Sequence, residues 1–184
     1  MKCIHLLLLA ASISMLLSCD RCDTKNVVKH WLGRKVEVVG SKPFLIAGHL
    51  PQDINEDFVI VSYVDSLGCV SCKLALKKWG SVSAAIDSAT HGHVPVVFIV
   101  EESLRRKMSF MLKADHFAPD CIVVDSANVL NERYRFPDEN EYQTFLLNKE
   151  RNVIAIGSPV HNEKVMDLFI GAIVKQRKAG AKAQ

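Results

Sequence analysis

The chain has 184 residues, 23 basic against 20 acidic side chains, and a formal net charge of +3. That length gives one domain of ordinary size, with a core that folds without staples. So mild a charge, without a basic stripe and interleaved aromatics, excludes nucleic acid as a partner, and the short basic tail from 175 to 184 reads as a solvated C-terminus.

The N-terminus differs from the rest. Lys2 precedes the apolar run LLLLAASISMLL at 6–17. Twelve residues are too few to span a bilayer, which takes about 20, but they match the core of a signal peptide. The run ends in LLSC, Leu16 to Cys19, which resembles a bacterial lipoprotein cleavage box, with Leu17 in place of the usual small residue. The resemblance implies that 1–18 is a signal peptide and that Cys19 becomes a lipid-bearing N-terminus in a bilayer. The domain would then be lipid-anchored in a bacterial cell envelope, facing the periplasm or extracytoplasmic side, where disulfides persist. Ordinary secretion with Cys19 a bystander, or a retained signal anchor, also gives an extracytoplasmic domain. Asp20 resembles an inner-membrane retention signal of some bacteria and leaves the choice of membrane open.

Residues 20–26 read as a polar tether, and 26–39 begin with helical spacing, break near Gly33 and end in strand-like alternation. SKPFLIAGHLP carries turn punctuation at Pro43, Gly48 and Pro51. DFVIVSYV (57–64) is a continuous β-branched and aromatic run, as in a strand buried on both faces. From Val70 to about Ala89, Val70, Leu74, Leu76, Trp79, Val82 and Ile86 keep a helical stripe, so one long helix is expected, kinked at Gly80. VPVVFIVEE (94–102) is a second buried strand, and Ser103 is the expected N-cap of a helix bearing Leu104, Met108, Met111 and Leu112. CIVVD (121–125) is a third strand, followed by a short helix in SANVLNERY and the polar loop FPDENE. YQTFLLN (142–148) and VIAIG (153–157) are close enough to pair as a hairpin, and 162–176 form an amphipathic helix. The order predicts an α/β fold: a mixed central sheet with helices on both faces and a C-terminal antiparallel hairpin. The expected division is 1–18 signal, 19–39 anchor and N-terminal extension, 40–178 folded domain and 179–184 disordered tail.

Export changes the cysteine count. Cys3 leaves with the signal and Cys19 carries lipid, so Cys22, Cys69, Cys72 and Cys121 remain, and adjacency favours Cys69 with Cys72. Cys22 reads as a free or adventitiously paired thiol near the anchor, and Cys121 as a small buried hydrophobe. The motif GCVSCK falls between the end of a buried strand and the start of a helix. Unpaired N–H groups and the positive end of the helix dipole favour a thiolate there, which lowers the pKa of Cys69 and makes it the nucleophile. Cys72, expected to be the more enclosed, is placed to resolve a mixed disulfide.

With FVIVSYV, GCVSCK opening a helix, the inserted helix and strand at 103–125, and TFLLNKERNVIAIG, residues 40 to 176 resemble the thioredoxin superfamily. The closest resemblance is to the envelope-anchored thiol–disulfide oxidoreductases of bacteria (TlpA/ResA-like). It implies a thioredoxin-like fold, Cys69 as attacking and Cys72 as resolving cysteine, and no organic cofactor. Its partners would be client proteins with disulfides, or a partner dithiol protein. Gly68 stands where the family has an aromatic residue, and the inter-cysteine pair Val70-Ser71 has no proline. About Ser62 falls where the family often has a buried acid or amide, and Tyr142 or Gln143 where it has a cis-proline; the nearest proline is Pro137.

Two other readings compete. Cys69, Cys72, His91 and His93 form C-x2-C-x18-H-x-H, with ligand types that suit zinc or copper, and His116 and His161 are further candidates. A straight helix between them would hold the histidines about 30 Å away, so only a break could close such a site. The other reading is a non-catalytic thioredoxin-like lipoprotein that binds a partner and keeps its disulfide as structure. The sequence has no glycine-rich phosphate loop, HExxH or GxSxG, and adjacent Glu101 and Glu102 point to opposite sides of a strand end.

Overall fold

The computed structural model describes residues 24–38, 44–48, 54, 56–115 and 119–181. The chain divides into two compact units, Met1–Trp31 and Leu32–Gln184. The first contributes one described helix, α1 (24–31), which starts inside the expected tether. Its His30 and Trp31 rings meet edge to face, centroids 6.1 Å apart.

The second unit is built on a six-stranded sheet. Its strands are β1 (Phe44–Gly48), β2 (Val59–Val64), β3 (Val96–Glu101), β4 (Cys121–Asp125), β5 (Thr144–Leu147) and β6 (Val153–Ile156), in spatial order β1-β4-β3-β2-β5-β6. The central neighbours β2–β3 and β3–β4 are parallel; β1–β4, β2–β5 and β5–β6 are antiparallel. The three central strands are buried along almost their whole length, which is why they read as unbroken apolar runs rather than alternating ones.

One strand was not expected. FLIAG, read only as turn punctuation, forms the edge strand β1. Gly48 closes it with φ +80, and a Cβ there would collide with the carbonyl oxygen of Asp120, so glycine lets the two backbones approach. Short edge strands flanked by glycine and proline carry little periodic signal, which explains the omission.

Helices α2 (Val70–Leu74), α3 (Leu76–Thr90), α4 (Arg105–Asp115) and α6 (Glu163–Ala181) cover one face of the sheet. Val70, Leu74, Trp79, Ile86, Met108, Phe169 and Ile173 meet Ile60, Phe98, Val100, Ile122 and Leu146 in one core, with Trp79 edge-on to Phe98 at 5.7 Å. The other face carries α5 (Val129–Tyr134) and the extended segment 34–38. There Phe136 stacks on Tyr63 at 4.3 Å, and the Tyr134 hydroxyl donates to the Glu37 carbonyl at 3.0 Å. Gly33, at φ +80, turns the chain into that segment, and Lys35 bridges Asn152 beside β6.

The expected single helix with a kink at Gly80 is corrected. Gly80 lies inside α3, and the break falls at Ala75, whose left-handed backbone (φ 42, ψ 40) ends α2 and starts α3. Ala75 N–H closes on the Ser71 carbonyl, and the N–H groups of Lys78 and Trp79 turn to the Ala75 carbonyl. The apolar stripe continues across the break because Leu74, Leu76 and Trp79 still reach the core, so periodicity alone hid it. Ser103 is not an N-cap either. It sits inside a 3-10 turn (Glu102–Leu104), its hydroxyl donating to Glu101 Oε1 at 2.8 Å, before α4 begins at Arg105. The hairpin forms as expected, and α6 continues to Ala181.

Candidate active site

Strand β2 ends at Val64, and the loop Asp65–Gly68 carries the chain from the sheet to α2. Two bonds fix that loop: Leu67 N–H donates to Asp65 Oδ1 at 2.8 Å, and Ser66 N–H to Glu101 Oε2 at 2.8 Å. Gly68 then adopts φ +68, a backbone that disfavours the aromatic residue expected from the family.

Cys69 is the N-cap of α2, in extended conformation, and its sulfur accepts from Cys72 N–H at 3.3 Å. Cys72 stands in the first turn, and the two are joined as a disulfide with Cα atoms 5.3 Å apart. Ser71 Oγ lies 3.4 Å from the Cys69 sulfur. Both cysteines are exposed, so Cys72 is not the enclosed member that the sequence suggested. The reason is the brevity of α2: one turn and the break at Ala75 leave Cys72 at the surface.

Behind the disulfide lies a buried polar network that sequence reasoning missed. Asp65, only 8% exposed, accepts from Lys73 Nζ at 2.5 Å and from Gln143 Nε2 at 2.6 Å. Burial pushes the Asp65 pKa up, but the bonds from Lys73, Gln143 and Leu67 N–H, together with the Lys73 charge, outweigh it, and the net shift is downward. Glu101 follows the same pattern: burial raises its pKa, the Ser66 and Ser103 bonds lower it by more than burial and the nearby Asp65 charge raise it, and the result lies below the ordinary value.

Gln143 occupies the place expected for the cis-proline. Among the described residues there is no cis peptide bond. Instead Tyr142 ends a 3-10 turn (Asn140–Tyr142), and Gln143, 1% exposed, accepts Tyr63 N–H at its carbonyl (2.8 Å) and donates its amide to both Asp65 and the Pro137 carbonyl. Its Oε1 is buried without a hydrogen-bond partner. Pro137 thus enters through its carbonyl. Ser62, the expected acid position, pairs its hydroxyl with that of Thr144 at 3.0 Å across the β2–β5 register. A buried acid lies instead three residues on, at Asp65. The signal in the sequence was an aspartate at the strand end and a lysine eight residues later, one turn into the next helix.

His161 also belongs here. It follows β6, donates Nε2–H to the Cys72 carbonyl at 2.9 Å, and sets Nδ1 against Ser158 Oγ at 2.8 Å. The break at Ala75 ends the α2 ladder, and the Cys72 carbonyl finds its donor in this distant loop. His91 and His93 do not join it. His91 caps the far end of α3, whose 15 residues span about 22 Å. His93 sits beside it between Asp87 (2.9 Å) and Asp120 (2.7 Å). The spacing C-x2-C-x18-H-x-H therefore does not close into a site, and no cluster of three metal-ligating side chains occurs among the described residues. Cys121 is buried in β4 with its thiol pushed up to about 12, burial being the main cause and Asp120 adding to it. Cys3, Cys19, Cys22 and His116 lie outside the described residues.

No protein-family model and no curated protein matches the sequence. Solved structures do match. One is a Chlorobium tepidum protein with the provisional name thiol:disulfide interchange protein DsbE, at TM-score 0.56 and 14% identity over 77% of this chain and 97% of that one. A second is the thioredoxin domain of a thiol-disulfide oxidoreductase from Bacteroides vulgatus, at TM-score 0.55 and 12% identity over 75% and 97%. A third is a thioredoxin-like protein solved in its oxidised form, at TM-score 0.52 and 20% identity over 77% and 97%. With the strand order and the strand-to-helix CxxC already described, these define the class: the chain has the thioredoxin fold.

Proposed function

We propose that the protein is a thiol–disulfide oxidoreductase of a bacterial envelope, held to the membrane by lipid on Cys19 and acting on disulfides of client proteins or of a partner dithiol protein. The observation that carries this reading is the exposed Cys69–Cys72 disulfide at the start of α2, reachable by another protein. The neighbours named as interchange proteins and oxidoreductases support it.

In the oxidised form an incoming thiolate attacks the Cys69 sulfur, forming a mixed disulfide and displacing Cys72 as thiolate. The partner's second thiolate then attacks its own sulfur in that bond and releases Cys69. The partner leaves with a disulfide, the pair has gained two electrons, and the partner's two protons go to solvent or to the new thiolates. Run backward, Cys69 attacks a client disulfide and Cys72 resolves the mixed bond. Main-chain N–H groups at the start of α2 stabilise the Cys69 thiolate, as Cys72 N–H already does toward the sulfur.

The test is covalent trapping in the envelope. A Cys72→Ser chain is expected to accumulate mixed disulfides that disappear in Cys72→Ser/Cys69→Ser. If no adduct forms and the wild-type pair fails to equilibrate with glutathione, the reading is wrong and a non-catalytic partner-binding role replaces it. The anchor is checked separately: Cys19→Ala is expected to lose detergent-phase partitioning and fatty-acid labelling.

A further inference from the structure

In a continuing helix the Cys72 carbonyl would accept the N–H four residues further on. The break at Ala75 removes that donor and leaves an orphan carbonyl on the second cysteine. His161 takes its place at 2.9 Å, from a loop 89 residues further along the chain. A carbonyl only accepts, so Nε2 carries a proton, and in the neutral ring Nδ1 accepts from the Ser158 hydroxyl at 2.8 Å. Ser158 is buried, and its carbonyl takes the N–H groups of His161 and Asn162 at 3.3 and 3.1 Å. Asn162 Oδ1 in turn accepts Lys164 N–H at 3.0 Å, where α6 begins. The ring is thus steadied from behind by the corner between β6 and α6.

The bond goes to main chain rather than to sulfur, so nothing in it requires the disulfide to be closed. Helix α2 has five residues, too few to be rigid by itself. Val70 and Leu74 anchor its buried side, while His161 holds the exposed side on which Cys72 stands. A resolving thiol works in proportion to how closely its sulfur is kept at the mixed disulfide, and a misplacement of about 1 Å costs up to about a hundredfold.

We propose that His161 is a positioning residue for the Cys69–Cys72 couple. By fixing the Cys72 main chain, it keeps the Cys72 sulfur within reach of Cys69 after the disulfide opens. The inference rests on the oxidoreductase reading and deepens it by giving the resolving step a residue outside the motif.

The test equilibrates the full-length chain, in detergent, with reduced and oxidised glutathione, and peptide mapping reads Cys69 and Cys72 apart from the other thiols. Cys69 thiolate attacks glutathione disulfide, and one glutathione leaves as thiolate. Cys72 thiolate then attacks the Cys69 sulfur, the bond to glutathione breaks, and the second glutathione leaves with the bonding pair. The couple loses the two electrons that glutathione disulfide gains, and the cysteine protons go to solvent or to the released thiolates. His161→Leu keeps the bulk and loses the donor. It is expected to weaken closure about threefold to tenfold, which raises the reduction potential by about 15 to 30 mV, and to accumulate the Cys69–glutathione adduct. His161→Gln, whose amide also donates, should restore most of both. Ser158→Ala, which leaves the imidazole unsteadied, should move both the same way by less. The ring stands in the wall of an open cleft of about 510 Å³, beside Cys72 and Ala75, so replacing it leaves no hole in the core. A role in stability alone would weaken the oxidised and reduced chains equally, and the potential would not move. A wild-type potential in His161→Leu, or a shift that His161→Gln fails to reverse, overturns the inference alone. So does NMR of the ring nitrogens that finds the neutral ring protonated at Nδ1. If the wild-type pair does not equilibrate with glutathione, the inference falls together with the oxidoreductase reading.

Discussion

Gln143 donates its side-chain amide to Asp65 at 2.6 Å, joining the residue before β5 to the residue after β2. With Lys73 on the same carboxylate, the bond ties the CxxC helix to the hairpin through one buried acid. Because Asp65 and Lys73 are both largely buried, removal of one partner strands the other's charge. Asp65→Ala is expected to lower unfolding free energy by about 3 kcal/mol, and Asp65→Ala/Lys73→Met to recover most of the loss. Urea denaturation of the four members of the cycle measures this; a near-neutral Asp65→Ala would refute it.

The same carboxylate sets an acid limit. Its folded pKa lies below the ordinary 3.8, so its contribution is complete above the unfolded value and is lost as pH falls through the lower folded value. Below about pH 4 the wild type should lose stability more steeply than Asp65→Asn. A remaining slope in that variant is expected from Glu101, which is shifted the same way. Identical slopes from pH 4 to 2 would contradict the assignment.

His93 works in the opposite direction at the other end of the sheet. The hydrogen bond to Asp87 raises its pKa, burial lowers it, and Asp120 raises it again by bond and charge, leaving a net upward shift. A raised folded pKa gives stability that is complete below the unfolded value of 6.5 and lost as pH rises through the folded value. The ring is half exposed, so the effect is at most about 1 kcal/mol. Wild type should lose stability between pH 6 and 8.5 by an increment that His93→Gln lacks. Titration of the ring by NMR supplies the pKa directly, and an unshifted value would end the argument.

The legible parts of the fold were those with long unbroken patterns. β2, β3 and β4 stood out because both faces are buried, and α6 and the hairpin because their periods are clean. β1 and the break at Ala75 did not, since one is a short edge and the other preserves the apolar stripe. The two cysteines were legible from their local address. Gln143 and His161 were singled out, one for the place of a cis-proline and one as a ligand candidate, but the bonds they and Lys73 make were not legible, because the partners lie 78, 89 and 8 residues away and only the fold brings them together.

Cys121 shows how burial separates thiols that the sequence treats alike. It is fully buried in β4 with a pKa near 12, so almost no thiolate exists at neutral pH. In the reduced native chain at pH 8, iodoacetamide is expected to label Cys69 and Cys72 and leave Cys121 unmodified until urea is added. Mass-spectrometric mapping reads this residue by residue. Native labelling of Cys121 at the rate of Cys69 would mean that β4 opens far more readily than its position implies.

Ala75 is the residue on which the shape of the site turns. A non-glycine residue in the left-handed region carries a strain of about 1–2 kcal/mol, while glycine there costs about 0.4–1 kcal/mol in unfolded-chain entropy. Ala75→Gly should therefore stabilise the chain by about 0.5 kcal/mol and leave the α2–α3 break, the His161 bond and the cleft intact. Ala75→Val, a β-branched residue least tolerant of that backbone, should cost more than about 1 kcal/mol. It should also pull the segment toward continuous helix, which would displace His161 from the Cys72 carbonyl and change the chemical shift of its ring. Equal stabilities for the three chains would show that the left-handed turn is not under strain, and an unchanged His161 signal in Ala75→Val would uncouple the break from the disulfide.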